Sequence, residues 1–147
     1  MAMIKRSIKF THIKWISFIF LCLYSISPFI NGLGCDYQQQ YERENFSFYS
    51  SCKFGYARSV VHNKVNGEIL EHDGFIGKIG DTVIFIATKV KRTTPNPNVH
   101  DNVYSVMHND YFYIAKIIHK NKEDWIVMTS PYYRIQKVKT LGKQSLW

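Results

Sequence analysis

Residues 111–139, YFYIAKIIHKNKEDWIVMTSPYYRIQKVK, decide the fold of this chain. Three runs rich in aromatic and β-branched residues, 111–119, 125–129 and 132–139, alternate there with short polar breaks. Runs of this length and composition are typical of half-buried strands. Because consecutive strands joined by tight turns pair antiparallel, the stretch predicts a β-meander.

A hairpin is predicted upstream of the meander. The dipeptide Asn66-Gly67 supplies the positive φ angles of a type I′ turn, between β-rich residues 56–65 and a returning strand over 68–72. Glycines in residues 74–80, GFIGKIG, allow a bulge or a sharp bend in a further short strand.

The remaining strand signals complete an all-β prediction. Residues 82–90, TVIFIATKV, predict a central strand that is buried on both faces in its first half. Shorter strands are expected over residues 46–49 and 103–107. The fold class is therefore a small antiparallel sandwich or partly open barrel of about seven strands.

Three segments lack a strand pattern. Residues 36–45, DYQQQYEREN, are polar and predict a tether or a short first helix. Two prolines and several asparagines in residues 91–102 indicate an exposed loop, long enough to be functional. The tail that ends at Trp147 is expected to be loose.

The N-terminal segment has the pattern of a secretory signal. The apolar run 15–30, WISFIFLCLYSISPFI, follows four basic residues and precedes two glycines. The run has about 16 residues, fewer than the roughly 20 that a spanning helix needs. We therefore expect residues 1–34 to be a signal peptide and residues 35–147 to be one exported domain. An uncleaved N-terminal anchor is the alternative.

Cysteine usage bears on the same segment. Gly32 and Gly34 suit cleavage before Cys35, and the sequence Gly32-Leu33-Gly34-Cys35 resembles a bacterial lipobox, with its leucine one place late. Two cysteines remain in the exported chain, and they predict a Cys35–Cys52 disulfide. A lipid on Cys35 or two unpaired thiols are the alternatives.

Charge narrows the class of partner. The formal net charge is +8, but four of the 19 basic residues and none of the 11 acidic residues precede Cys35. The exported portion therefore has 15 basic and 11 acidic residues, a net charge of +4. A charge that small over 113 residues argues against a nucleic-acid partner, and so does export.

No motif of an enzyme or a metal site is present. HxH, HExxH, CxxC and GxSxG are all absent, although acids lie beside three of the five histidines after Cys35, in His72-Asp73, His100-Asp101 and His108-Asn109-Asp110. These pairs are explained as polar residues of turns that have no catalytic or metal-binding role. We predict no catalytic residue, metal or cofactor. An exported hydrolytic or metal-dependent enzyme built on the His/Asp pairs is the alternative.

Aromatic residues in the meander suggest a binding surface instead. Tyr and Trp beside Arg are common in protein-binding hot spots, although cross-strand aromatic pairing explains such residues too. The predicted contact residues are Tyr111, Tyr113, Trp125, Tyr132, Tyr133 and Arg134. We therefore predict a non-enzymatic binding module for a protein partner outside the cytoplasm, such as an inhibitor or immunity protein. It would be periplasmic, membrane-anchored or secreted, and a structural envelope lipoprotein is a further alternative.

Overall fold

The computed structural model describes residues 2–93, 110–120 and 123–147, with side chains from residue 13 onward. Within these described residues, one helix precedes eight strands. They are α1 (Ala2–Gly32), β1 (Asp36–Glu42), β2 (Phe46–Lys53), β3 (Tyr56–Asn63), β4 (Ile69–Ile79), β5 (Thr82–Thr93), β6 (Phe112–Lys120), β7 (Glu123–Ser130) and β8 (Arg134–Lys143).

The eight strands form a closed antiparallel barrel. Each strand pairs with the next along the chain, and β1 pairs with β8, with Asp36 opposite Lys143. The prediction of an all-β antiparallel fold is confirmed, and among its alternatives the barrel is the one observed. Closure gives each of these eight strands a hydrogen-bonded neighbour on both sides.

The barrel has two distinct ends. At the end next to α1, which we call the helix end, β1, β3, β5 and β7 begin and the other four strands finish. At the opposite end, which we call the far end, Phe46 begins β2 and Arg134 begins β8. Side chains alternate along every strand between the lumen and the outer surface.

The bend predicted over residues 74–80 is a β-bulge within one long strand. Residues of the predicted hairpin and of the glycine-rich run join as β4, with the register shift between Asp73 and Gly74. The predicted burial of the first half of residues 82–90 on both faces is wrong, since residues 82–85 are only half-buried. Ile86 is exposed on the outer surface, because every strand of a barrel has one face toward solvent.

Two other segments differ from expectation. Residues 36–42 form β1 instead of a tether or helix, because Tyr37 and Gln39 alternate into the lumen while their neighbours face solvent. The tail is held in place, since the backbone N–H of Trp147 donates to Asn31 Oδ1 at 3.0 Å. The predicted loop over 91–102 begins later than expected, because β5 continues to Thr93. The rest of that loop and the strand expected over 103–107 lie outside the described residues.

The core at the helix end includes the predicted disulfide. Cys35 and Cys52 are bonded, with their Cα atoms 5.7 Å apart, and they pack with Tyr37, Ala57 and Ile76. A lipid on Cys35 and this disulfide exclude each other, because both use the same sulfur atom.

The helix α1 contains a stretch of membrane-spanning length. Residues Ile13–Gly32 form 20 helical residues with a mean hydropathy of 1.7, and the helix continues through Pro28. This stretch is longer than the 16-residue run suggested, because flanking residues extend it at both sides. Length and composition suit both a signal sequence and an anchor, so export stays a prediction.

Candidate functional site: the barrel lumen

The barrel encloses a cavity lined mainly by aromatic and aliphatic side chains. Phe48, Val61, Leu70, Phe85 and Met128 contribute much of its wall. Its empty volume is about 950 Å³ when the part open to solvent is counted, and the centres of water molecules can occupy about 130 Å³ of it. Since one water needs roughly 10–15 Å³ on the second measure, the cavity has room for several waters or one small organic molecule.

Polar side chains of β1 face this cavity and bond to the neighbouring strands β8 and β2. Gln39 Nε2 donates to Thr140 Oγ1 at 3.2 Å, and Tyr37 shares a hydrogen bond with Ser50. Burial of the Tyr37 phenol raises its pKa to about 12, although the bond with Ser50 lowers it in part. The phenol is therefore a neutral hydrogen-bonding group at physiological pH.

A second polar pair lies on the opposite wall. Tyr113 Oη and His72 Nε2 are 2.8 Å apart, and their rings meet edge to face with centroids 5.3 Å apart. Phe85 packs beside Tyr113, so the Tyr113–His72 pair has an apolar ring next to it. The pKa of Tyr113 is raised, mainly by burial and further by Tyr132 and Asp110.

The far end of the cavity carries a cation. The Arg134 guanidinium lies over the Phe46 ring, 4.3 Å from its centroid, and bonds to the Tyr132 phenol. Burial raises the pKa of Tyr132, while the charge and hydrogen bond of Arg134 oppose that rise. Phe46 and Tyr132 thus hold the guanidinium at the wall of the lumen.

The permanent charge on the described lining of the lumen is positive. Among the described lining residues there is no carboxylate, and Arg134 carries a permanent positive charge. The carboxylate of Asp110 stands outside this lining, yet it is near enough to raise the pKa values of Tyr113 and Tyr132. A ligand in the lumen would therefore meet apolar walls, neutral hydrogen-bonding groups and one guanidinium.

Strand alternation divides the six residues that the sequence suggested for partner contact. Tyr113, Tyr132 and Arg134 line the lumen. Tyr111, Trp125 and Tyr133 lie at the outer surface, where Tyr133 is the most exposed of the three. The six predicted contact residues are therefore divided between the lumen and the outer surface of the barrel. Their role in partner binding stays a prediction.

The histidine–acid pairs are also separated where the structure describes them. His72 faces the lumen, whereas its neighbour Asp73 bonds to Arg58 at 2.6 Å. His119 bonds instead to Asp124 across a hairpin, at 2.5 Å. Among the described residues no three His, Cys, Asp or Glu are grouped to hold a metal ion. His100 and His108 lie outside the described residues.

Several lumen residues escaped the sequence reasoning. Tyr37, Gln39, Ser50 and Gln136 are buried polar side chains that were assigned to no site. For Tyr37, Gln39 and Ser50 the signal was an alternation of residues within 36–42 and 46–53. For Gln136 it was the alternation within β8. Such segments look solvated when only apolar residues are counted as inward-facing. A barrel lumen accepts such residues because neighbouring strands supply hydrogen-bond partners.

No family model matches the chain, and no curated protein or solved structure is similar to it at a significant level. The class that the fold and the cavity define is a closed eight-stranded antiparallel barrel with a partly polar lumen. Barrels of this strand number either fill their interior with side chains or hold one small ligand.

Proposed function

We propose that the protein is a non-enzymatic binding protein that holds one small, mainly apolar molecule in the barrel lumen. The observation that carries this proposal is the apolar-lined lumen cavity, in which the centres of water molecules can occupy about 130 Å³. An apolar cavity of about 150 Å³ on this measure is large enough to bind one benzene-sized molecule. A barrel of this size filled by its own side chains would leave no such space.

The lining favours a ligand with an apolar body and an anionic or hydrogen-bond-accepting head group. Phe48, Leu70 and Phe85 would contact the apolar body. Arg134 at the far end would pair with the head group, because a guanidinium is a bidentate donor to carboxylates. A carboxylic acid with a hydrocarbon chain is the simplest molecule that satisfies both requirements.

The experiment uses a fluorescent polyene fatty acid and the matched alcohol as probes of the full chain in detergent micelles. We expect the acid to bind with enhanced fluorescence, and R134M to weaken it by about 10-fold to 100-fold, since a charged hydrogen bond contributes about 1.5–3 kcal/mol. The alcohol should lose much less affinity. Equal losses for both probes would contradict the assigned head-group contact.

A matched pair of variants locates the ligand in the lumen. A115F adds a ring inside the cavity, whereas K116F adds the same ring on the outer surface of the same strand. We expect A115F to abolish binding and K116F to preserve it, with both barrels folded by circular dichroism. Binding by A115F at the wild-type affinity would refute the lumen as the site.

The outer surface supports a second candidate, the protein-binding module predicted from the sequence. Cross-strand neighbours Ile86–Phe112 and Ile118–Trp125 are exposed apolar pairs on adjoining strands. Ile135 of β8 and Tyr133, which directly precedes β8, are also exposed. Exposed apolar surface of this extent favours a protein contact.

A crosslinking pull-down from the native envelope tests the second candidate. A protein captured by the wild type should be lost with I118D, which places a charge among the exposed pairs. Y49D, which alters an exposed residue of β2, is the control and should retain it. Capture that is insensitive to I118D would place the partner on a different surface.

A further inference from the structure

The helix α1 is joined to the barrel by a buried polar contact. Asn31 is 2% exposed, and its side-chain Nδ2 donates to the carbonyl oxygens of Lys78 at 3.0 Å and Trp147 at 3.2 Å. The backbone N–H of Trp147 donates to Asn31 Oδ1, and that of Leu146 donates to the Asn31 carbonyl at 3.1 Å. One helix residue thus connects the end of β4 with the C-terminal segment.

Close backbone packing completes the same junction. A Cβ atom added at Gly32 would overlap the carbonyl of Ile76, and one added at Gly34 would overlap Leu146. At Gly77 of β4, a Cβ would press against Pro28 and Phe29. Residues 28–34 are therefore fitted to the barrel, and a polypeptide cut before Cys35 would leave the surfaces that they cover exposed.

Beyond this junction, α1 projects away from the barrel as an apolar helix. The most apolar part of the stretch Ile13–Gly32 is only 6% buried. Twenty helical residues extend about 30 Å, which matches the hydrocarbon thickness of a bilayer. The basic residues Lys5, Arg6 and Lys9 precede it and Lys14 is its second residue, so its N-terminal side is the one expected in the cytoplasm.

The barrel surface around the junction is unusually apolar. Phe54 and Trp147 are 76% and 75% exposed. The exposed rings of Tyr56 and Phe75 meet edge to face at 5.7 Å, and Leu33 lies against Gly55. We call this surface the base patch, and its members are Leu33, Phe54, Tyr56, Phe75, Ile79, Leu146 and Trp147.

Lysine residues border the base patch. The Lys53 ammonium lies 5.9 Å from the centroid of the Phe54 ring, and Lys143 is exposed on the neighbouring end of β8. Aromatic rings with lysines beside them are typical of the membrane–water interface, where the ring contacts the acyl boundary and the ammonium reaches the head groups.

We propose that α1 is retained as a membrane anchor and that the base patch of the barrel lies in the outer interface of the same bilayer. The continuity of the patch with the helix identifies the occupant as lipid, because a helix that crosses the bilayer and leaves it at Gly32 brings these rings to its surface. The bond network of Asn31 fixes the barrel in that pose. This places the far end of the lumen, with Arg134, away from the membrane.

Tryptophan quenching in nanodiscs containing lipids brominated high on the acyl chain tests this arrangement. The variant W15F/W125F keeps Trp147 as the reporter of the base patch. The variant W15F/W125F/W147F/Y133W places the reporter at the far end, and W125F/W147F keeps Trp15 as the reporter of helix insertion. We expect strong quenching of Trp15 and Trp147 and at least 3-fold weaker quenching of the far-end reporter.

Each result is decisive. An unquenched Trp15, or a mass showing that residues 1–34 are absent from the mature protein, would overturn retention of the anchor. A Trp147 reporter quenched no more than the far-end reporter would overturn the interfacial pose. N31A should bring the quenching of these two reporters closer together if Asn31 fixes the pose. Ligand binding in the lumen is measured in a separate experiment, so neither proposal depends on the outcome of the other.

Discussion

The phenol oxygen of Tyr113 lies 2.8 Å from Nε2 of His72 inside the barrel. Tyr113 belongs to β6 and His72 to β4, so their bond connects two strands that β5 separates. His72 is buried, and an imidazole nitrogen that loses its partner in such a place keeps the cost of desolvation. The pair therefore helps to fix the shape of this wall of the lumen.

Removing the Tyr113 hydroxyl should lower the free energy of unfolding. We expect Y113F to cost about 1–2 kcal/mol, because a buried hydrogen bond is lost while the ring packing remains. Urea unfolding followed by circular dichroism measures the change. Y111F, at an exposed neighbouring tyrosine, is the control and should lie within about 0.5 kcal/mol of the wild type.

A double-mutant cycle with His72 separates the bond from other effects of the substitution. If the two groups interact as the structure places them, H72L/Y113F should be more stable than the sum of the single losses implies. Additive losses would show that the bond contributes nothing to stability.

The strands were predictable where the apolar pattern has a period of two. Residues 111–119, 125–129 and 132–139 correspond to β6, β7 and β8 with shifts of a few residues at their ends. The type I′ turn predicted at Asn66-Gly67 is wrong, because Asn66 does not adopt a positive φ angle and residues 64–68 form a longer loop between β3 and β4. The positions of the turn glycines were predictable, since Gly67 and Gly80 adopt positive φ angles of 73° and 54°. These features are local, and local sequence specifies them.

Closure of the barrel was not predictable, because it depends on contacts between residues far apart in the chain. β1 pairs with β8 over a separation of about a hundred residues, and its polar inward side chains are stable only once the opposite walls exist. Gln39 illustrates this, since its partner Thr140 lies at the other end of the chain. The polar lining of the candidate site and the ordered tail were not predictable either, because both depend on contacts between residues far apart in the chain.

The disulfide should contribute substantially to stability. It joins residues separated by 17 positions, and closing a loop of that size stabilises the folded state by about 3 kcal/mol. We expect reduction of the wild type to lower the free energy of unfolding by about this amount, measured by urea unfolding in detergent with and without reductant.

The free cysteine provides the control for that measurement. Cys22 lies in α1 outside the disulfide, so C22A should keep both the stability and the response to reductant. A reduced wild type as stable as the oxidised protein would contradict a stabilising role for the bond.

The bulge in β4 requires a glycine. A Cβ atom at Gly74 would overlap the carbonyl oxygen of Ile86 on the paired strand. We expect G74A to lower the free energy of unfolding by on the order of 3 kcal/mol or to prevent folding, because two backbones approach closely there. Thermal unfolding and the yield of folded protein report the effect.

A second glycine tests whether the effect is local to the bulge. Gly80 has a positive φ angle, but a Cβ there meets no atom within 4 Å, and asparagine tolerates this backbone region. We therefore expect G80N to cost less than about 1 kcal/mol. Similar losses for G80N and G74A would show that close packing at Gly74 is not the cause.

Alkaline pH should destabilise the barrel through Tyr37. Burial raises the pKa of this phenol to about 12, above the ordinary value of 10.0, so the folded state binds its proton more tightly than the unfolded state does. The resulting stabilisation is fully present below pH 10 and is lost as the pH rises from about 10 to about 12. For a shift of about 2 units the loss reaches at most about 3 kcal/mol.

Urea unfolding across this pH range tests the assignment. In a C22A background, which removes the free thiol, Y37F should lose less stability between pH 9 and pH 12 than the parent protein, by about 2–3 kcal/mol. Tyr113 and Tyr132 also have raised pKa values, but both remain in each variant, so the difference isolates Tyr37. Y49F, at an exposed tyrosine, should follow the parent. If Y37F and the parent lose stability in parallel, the Tyr37 phenol does not ionise with the shift that its burial implies.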